Sequence, residues 1–362
     1  MARPDRLAVA GRLLALAVAV AMVLAALALR SERDGRGDGD GASVARGTPL
    51  RLVCADEVAE GCQALAGRAE QVEVRIEPAG ATAARLAALP GTESLDLDAW
   101  LVLQPWPEIV ASSRQRQGLP PLAAGTTAPL ARSPLVIAVW RERADVLAVR
   151  CGGSVDWRCL GDAAPRRWAE IGGHEQWGPV KPGLADPRQT ASGLLVLGQA
   201  TAGYFRRTDL SSFDLDDDGY RSWLTGLERA VPALDPTTGS PLQRMLAFGP
   251  ASLDAVGALE AQAGPTLERS ARRGSIVIAY PRPLVVGEVV LTHLGGTAAG
   301  RRLLELWTGE PGSDALADTG WRVEGRPMGT GLDPAVALPA AAGLPPPGVL
   351  DALRDVWKEI SR

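Results

Sequence analysis

Lys181–Phe205 reads KPGLADPRQTASGLLVLGQATAGYF, and it has three parts. Lys181 to Asp186 is short and punctuated by Pro and Gly, which marks a strand end or a turn. Asp186 to Gly193 is a polar loop that stops where an apolar run begins. Leu194, Leu197, Thr201 and Tyr204 then recur at helical spacing, with Leu195 and Val196 beside them, so a helix follows. Either Thr190 or Ser192 can cap it, a side-chain oxygen taking an orphan backbone N–H. Gly193 adds an N–H with no side chain over it. Such a helix start offers free donors and the positive end of a dipole, a place for an anion or carboxylate. The competing reading is an ordinary capped helix that binds nothing.

Outward from that stretch, strands and helices alternate. Pro49 to Ala55 reads as a strand, Glu57 to Ala69 as a helix, Val72 to Glu77 as a strand and Ala81 to Leu89 as a helix. Leu97 to Leu103 is a buried strand that runs directly into Gln104-Pro105-Trp106-Pro107, and Leu135 to Trp140 is another. This βαβα order predicts an α/β fold with a mostly parallel sheet covered by helices on both faces. Ligands of such sheets collect beyond the carboxyl ends of the strands, which here means Ala55-Asp56-Glu57 and Gln104-Pro105-Trp106. Later in the chain, Cys151 to Gly178 reads as a Trp-rich loop, Arg221 to Val231 as a helix, and Leu242 to Phe248 and Leu253 to Gln262 as short helical pieces. Ser275 to Tyr280 and Leu284 to Leu291 read as strands. Ala298 to Leu306 and Val349 to Ile360 read as helices, with the Ala/Pro-rich loop Ala335 to Pro347 between them.

A chain of 362 residues, 46% of them hydrophobic, is comfortable for two lobes with real cores. A net charge of −4 and the lack of any basic run argue against a nucleic-acid partner. The four cysteines form two local pairs, Cys54 with Cys62 and Cys151 with Cys159. Local disulfides are the economical connectivity of the three that four cysteines allow, and they place the folded body in an oxidising compartment. With two histidines, His174 and His293, no metal site is expected. Asp214-Leu215-Asp216-Asp217-Asp218-Gly219 matches the first half of a calcium loop. The twelfth position, which needs a bidentate Glu, is Thr225, so an acidic helix entry is the competing reading.

Leu13 to Leu29 is an uncharged run of seventeen residues behind Arg3, Arg6 and Arg12. It is at the lower limit for a spanning helix, and Ala26-Leu27-Ala28 resembles a cleavage site. Residues 1–30 are therefore expected to be a single-pass membrane anchor with the body outside the cytoplasm, or a signal whose removal leaves a secreted protein. Residues 31–47, rich in Gly, Asp and Arg, read as a flexible tether. No G-x-S-x-G elbow, H-E-x-x-H or Walker-type phosphate loop occurs, so an enzyme is not expected and no cofactor is implied.

Four stretches, in order, resemble type II extracellular solute-binding proteins, the molybdate-binding-like proteins and their actinobacterial relatives. Asp98-Ala99-Trp100-Leu101 resembles the family's D-x-W-x-P strand, with Gln104-Pro105 in place of its usual ending. Leu130 to Ala138 resembles a segment crossing between lobes. Trp168 to Ile171, Ala185-Asp186-Pro187 and Ser192-Gly193-Leu194 resemble the W-x-D-L and P-x-x-S-x-x-G-L signature. Ile278 to Pro283 resembles the return crossing. The resemblance implies two lobes, one built from residues 48–132 and 282–362 and the other from 133–281, with a small-molecule ligand in the cleft and an ABC permease as the possible partner. It places Asp56, Gln104 and Trp106 at the cleft from the first lobe and Thr190, Ser192 and Gly193 from the second, with Ser133 and Tyr280 at the hinge. It also implies that a Cys54–Cys62 bond braces the Asp56 loop. The helix start favours an anionic group, whereas Asp56 and Glu57 repel an oxyanion and invite an amine or a sugar hydroxyl. The alternative function is an envelope sensing or interaction module that uses the same fold without transport.

Overall fold

The computed structural model describes residues 49–69, 71–232 and 239–361. The expected anchor at Leu13–Leu29 and the tether at 31–47 lie outside the described residues. Among the described residues, no helix is long and apolar enough to cross a membrane.

β1 (Leu50–Cys54) is apolar at nearly every position because it is covered on both faces. It leads through one 3₁₀ turn (Asp56–Val58) into α1 (Ala59–Ala66). β2 (Val72–Ile76), α2 (Ala79–Ala88) and the fully buried β3 (Ala99–Leu103) complete two crossover units. β1 runs parallel to both β2 and β3, with Cys54 opposite Ile76 on one side and Leu101 on the other. α3 (Trp106–Arg116) follows directly, a helix not expected from the sequence. Pro107 falls in its first turn, where a missing N–H costs nothing. The short β4 (Ala123–Thr126) comes next.

β5 (Ala131–Trp140) changes partners midway. Ala131 to Pro134 pair with β9 (Val286–Leu294), whereas Leu135 to Trp140 pair with β7 (Ala255–Leu259) and β8 (Ile276–Ala279). Between β5 and β7 lie α4 (Arg141–Arg150), α5 (Trp157–Ala163), the two-residue β6 (Pro182–Gly183), α6 (Ala191–Phe205), α7 (Asp218–Ala230) and α8 (Pro241–Phe248). α9 (Glu260–Glu268), α10 (Ala298–Thr308), α11 (Glu310–Ala317) and α12 (Pro347–Ile360) complete the chain. The strand order is β2-β1-β3-β9-β5-β7-β6, with β4 paired to β9 and β8 to β5. β9 returns antiparallel to β3, β4 and β5. The sheet is therefore mixed, which corrects the mostly parallel sheet expected from element order alone.

Two further corrections concern elements. Ala255–Leu259, expected within a helical piece, is a strand buried at every position. Cys151–Gly178, expected as a loop, contains α5 and two 3₁₀ turns. α6 is buried from Ala191 to Gly203, as befits a helix that is apolar all round and runs through a core. It packs on β5, β7, α5 and α12.

Trp157 and Trp168 support this core, and Trp140 a second, smaller one. Trp157 Nε1 donates to Gln199 Oε1 of α6 at 3.0 Å, and Trp140 Nε1 donates to the Leu253 carbonyl at 2.8 Å. Trp168 Nε1 donates to the buried Asp254 at 3.0 Å. Arg143 donates to the same carboxylate at 3.2 Å and lies over the Trp177 ring. A buried carboxylate with this many donors is a satisfied one, although burial still pushes it above the ordinary aspartate range.

Candidate functional site

Two segments far apart in sequence meet at the start of α6. The loop before the helix is closed by Asp186, whose side chain accepts from Arg188 N and whose carbonyl accepts from Thr190 N, both at 2.9 Å. Thr190 is the N-cap, and its Oγ1 accepts from Gly193 N at 3.1 Å. The Gly193 N–H is thus used by the cap. A Cβ at Gly193 would stand 2.5 Å from the Ala185 carbonyl oxygen, so the tight entry needs glycine at this close approach.

Ser192 supplies two further donors, and they converge on one atom. Its backbone N–H and its hydroxyl donate to Glu57 Oε1 at 2.7 and 2.8 Å. Glu57 sits in the 3₁₀ turn at the carboxyl end of β1 and is 7% exposed. Charge-assisted bonds to a helix start are among the stronger kind. Burial nevertheless dominates and pushes the Glu57 carboxyl above the ordinary glutamate range, against the pull of the Ser192 bonds. Its second oxygen, Oε2, is buried without a hydrogen-bond partner. Nearby, Gly80 N at the start of α2 donates to the Gln189 carbonyl at 2.8 Å.

The other expected site residues occupy varied surroundings. Asp56 is exposed beside Glu57, and desolvation raises its carboxyl. Gln104 follows β3, is partly buried, and carries a buried Oε1 without a partner. Trp106 is fully buried under the Arg354 guanidinium of α12, 4.8 Å from its ring centroid. Ser133 is fully buried at the β5 partner change, where its Oγ accepts from Ala261 N at the start of α9. Tyr280 donates to Glu260 Oε1 at 2.6 Å, and Arg322 grips that carboxylate with Nε and Nη2, both at 2.7 Å. Thr190, Ser192 and Gly193 are therefore brought together, Asp56 and Gln104 stand at neighbouring strand ends, and Ser133 and Tyr280 both bind into the elements around α9.

Glu57 is expected from the sequence only as a charge beside Asp56 at the cleft, and its contact with Ser192 is not foreseen. Its position at a strand end was the available signal. What distinguishes it from Asp56 is the side on which the 3₁₀ turn presents each carboxylate.

Both local disulfides are present, Cys54–Cys62 and Cys151–Cys159. The first joins the last residue of β1 to the first turn of α1 and so brackets the turn carrying Asp56 and Glu57. The acidic run is engaged in capping. Asp214 forms a capping box with Ser211, and Asp217 caps α7 by accepting from Tyr220 N. A separate cavity of about 520 Å³ lies between α3 and the end of β9, walled by Trp100, Val110, Arg114, Leu122 and Leu294. It shares no residue with the start of α6.

A curled mixed sheet with helices on both faces, crossed by β5 and re-entered by β9, is a periplasmic-binding-protein fold. The chain belongs to the bacterial extracellular solute-binding protein family, whose profile matches residues 50–322. It is similar in fold to a periplasmic thiamin binding protein at 12% identity and a TM-score of 0.60, over 90% of this chain and 99% of the other. It is similar also to iron-bound HitA of Pseudomonas aeruginosa, at 13% identity and a TM-score of 0.57, covering 87% and 100%. AfuA of Actinobacillus pleuropneumoniae, solved with fructose-6-phosphate bound, matches at 11% identity and 0.55, covering 87% and 97%. No curated protein sequence matches the chain.

Proposed function

We propose that this protein is a membrane-tethered extracytoplasmic solute-binding protein. It captures a small ligand between a lobe of residues 48–132 with 282–362 and a lobe of residues 133–281, and delivers it to an ABC permease. Residues 13–29 anchor it and residues 31–47 form the tether. The ligand site is drawn from Asp56, Gln104, Trp106, Thr190, Ser192 and Gly193, with Ser133 and Tyr280 at the hinge. No step of bond chemistry is assigned to it.

The observation that carries this reading is the junction of Glu57 with Ser192. It joins the carboxyl end of β1 to the start of α6, and strand ends of α/β sheets and helix starts are both favourable places for ligands. Closure of two lobes about crossing strands then follows as a hinge motion.

The test is a thermal-shift screen of the oxidised full-length protein in detergent against sugars, amino acids, amines and oxyanions. A ligand at one hundred times its Kd stabilises by about 2.7 kcal/mol, and Ser192→Ala should reduce that shift. A screen without any shift in which an envelope protein is captured instead supports the sensing-module reading. That reading is favoured by one observation: the Ser192 donors are already satisfied by the chain's own carboxylate.

A further inference from the structure

The start of α6 has the donors that an oxyanion seeks, and this chain fills the place itself. The Ser192 N–H and O–H both go to Glu57 Oε1, and the Gly193 N–H goes to Thr190. No donor of Ser192 or Gly193 at that helix start is left for a sulfate, phosphate or carboxylate from solution. An oxyanion would also meet the Glu57 charge at van der Waals range, where like charges in a poorly solvated setting repel strongly.

What this end of the sheet leaves unpartnered is a set of buried acceptors. Glu57 Oε2 is buried and unpartnered, on a side chain only 7% exposed. Among the described residues, no Arg or Lys is paired with Glu57. Gln104 Oε1 is also buried and unpartnered. The two residues stand at neighbouring places: β1 and β3 are parallel with Cys54 opposite Leu101, and each residue lies three positions beyond that pair. A buried carboxylate without a counter-charge is costly, and a cation that brings hydrogen-bond donors to it removes that cost.

We propose that Glu57 sets the ligand class of this protein. It fills the oxyanion seat of α6 when the two lobes are together, and its second oxygen, together with Gln104 Oε1, receives the ammonium group of a cationic ligand. The ligand-class half rests on the solute-capture reading above, whereas the filled seat does not.

The test uses the oxidised full-length protein in detergent, with calorimetry and thermal shift. Putrescine and ethylenediamine are the ammonium probes, sulfate and phosphate the oxyanions, and ribitol the uncharged control. Wild type should bind an ammonium probe and neither oxyanion. Glu57→Gln keeps the shape of the junction and should weaken ammonium binding by about tenfold or more, the value of a lost charge-assisted bond. Glu57→Ala should acquire sulfate or phosphate binding, and adding Ser192→Ala should abolish the gain. Oxyanion binding by wild type, or ammonium binding unchanged in Glu57→Gln, overturns the proposal. The same is true if ribitol is bound and no ammonium probe is. If wild type binds nothing while Glu57→Ala acquires sulfate, solute capture and the ligand class both fall and the filled seat stands. If Glu57→Ala acquires nothing while wild type binds amines undiminished by Glu57→Gln, the filled seat falls and solute capture stands.

Discussion

Gly80 and Arg188 approach so closely that a Cβ on Gly80 would stand 1.9 Å from the Arg188 carbonyl oxygen. The neighbouring Gly80 N–H donates to the Gln189 carbonyl, so the start of α2 rests directly on the loop that leads into α6. Any side chain at Gly80 must separate them, because the atom it meets is backbone. Gly80→Ala should destabilise the protein by about 1–3 kcal/mol, the usual cost of overpacking, and should loosen the Glu57–Ser192 junction with it. Hydrogen exchange at Ser192 N–H, compared between Gly80→Ala and wild type, checks the second effect. Unchanged protection there would mean that the two contacts are independent.

Glu260 gathers Tyr280, Arg322 and the Asp333 N–H on one buried carboxylate. Glu260→Ala leaves the partly buried Arg322 guanidinium without its counter-charge and should cost about 3 kcal/mol. Tyr280→Phe removes one bond to a charged group and should cost about 1.5–3 kcal/mol. Chemical denaturation of both variants gives the ratio. Equal losses would mean that Tyr280, not the ion pair, holds this cluster.

Much of this was legible locally. A helix start capped at Thr190 or Ser192 follows from adjacent residues, Thr190 being the one that caps, and local disulfides are the economical pairing for the cysteine spacing. The element errors have physical causes. Ala255–Leu259 is buried on both faces, so alternation is absent, and its Ala, Gly and Leu content carries little strand signal. Trp106–Arg116 hides behind Pro105 at its N-cap and Pro107 in its first turn, where a missing N–H is tolerated. The mixed sheet depends on β9 returning beside β3, which no local pattern specifies. The pairing of Glu57 with Ser192 spans 135 residues. Sequence could place each residue at an element end, whereas their contact is a property of the packed chain.

Glu57 also predicts a pH dependence. Burial, ahead of all other causes, raises its carboxyl in the folded protein. The folded state therefore holds this proton more tightly than the unfolded chain does. The associated stability is fully present below the unfolded value of about 4.3 and is lost as pH rises through the raised folded value. Glu57→Gln cannot ionise, so it should gain on wild type as pH rises across that window. Glu77 and Asp96 act in the opposite direction. Burial alone would raise them, but hydrogen bonds and charge from Arg85 and Arg75 outweigh it and hold both below their ordinary values. Their contribution is present above the unfolded values and is lost on acidification. Urea denaturation of wild type and Glu57→Gln across acid to neutral pH separates the two. Parallel curves would show that Glu57 titrates alike in both states.

The two disulfides should differ in what they protect. Each closes a loop of sequence separation 8, for which the chain-entropy account gives about 2.5 kcal/mol of stabilisation. Replacing either pair by serine should therefore cost a similar amount in a melting curve. Their positions set them apart. Cys54–Cys62 spans the turn that aims Glu57 at Ser192, whereas Cys151–Cys159 joins the end of α4 to the first turn of α5. Loss of the first pair should raise hydrogen exchange at Ser192 N–H well beyond the general loss of stability, because the carboxylate is no longer held in place. Loss of the second should raise exchange there only by the global amount. Equal local effects would mean that the first bond braces the fold as a whole and not the turn that carries Glu57.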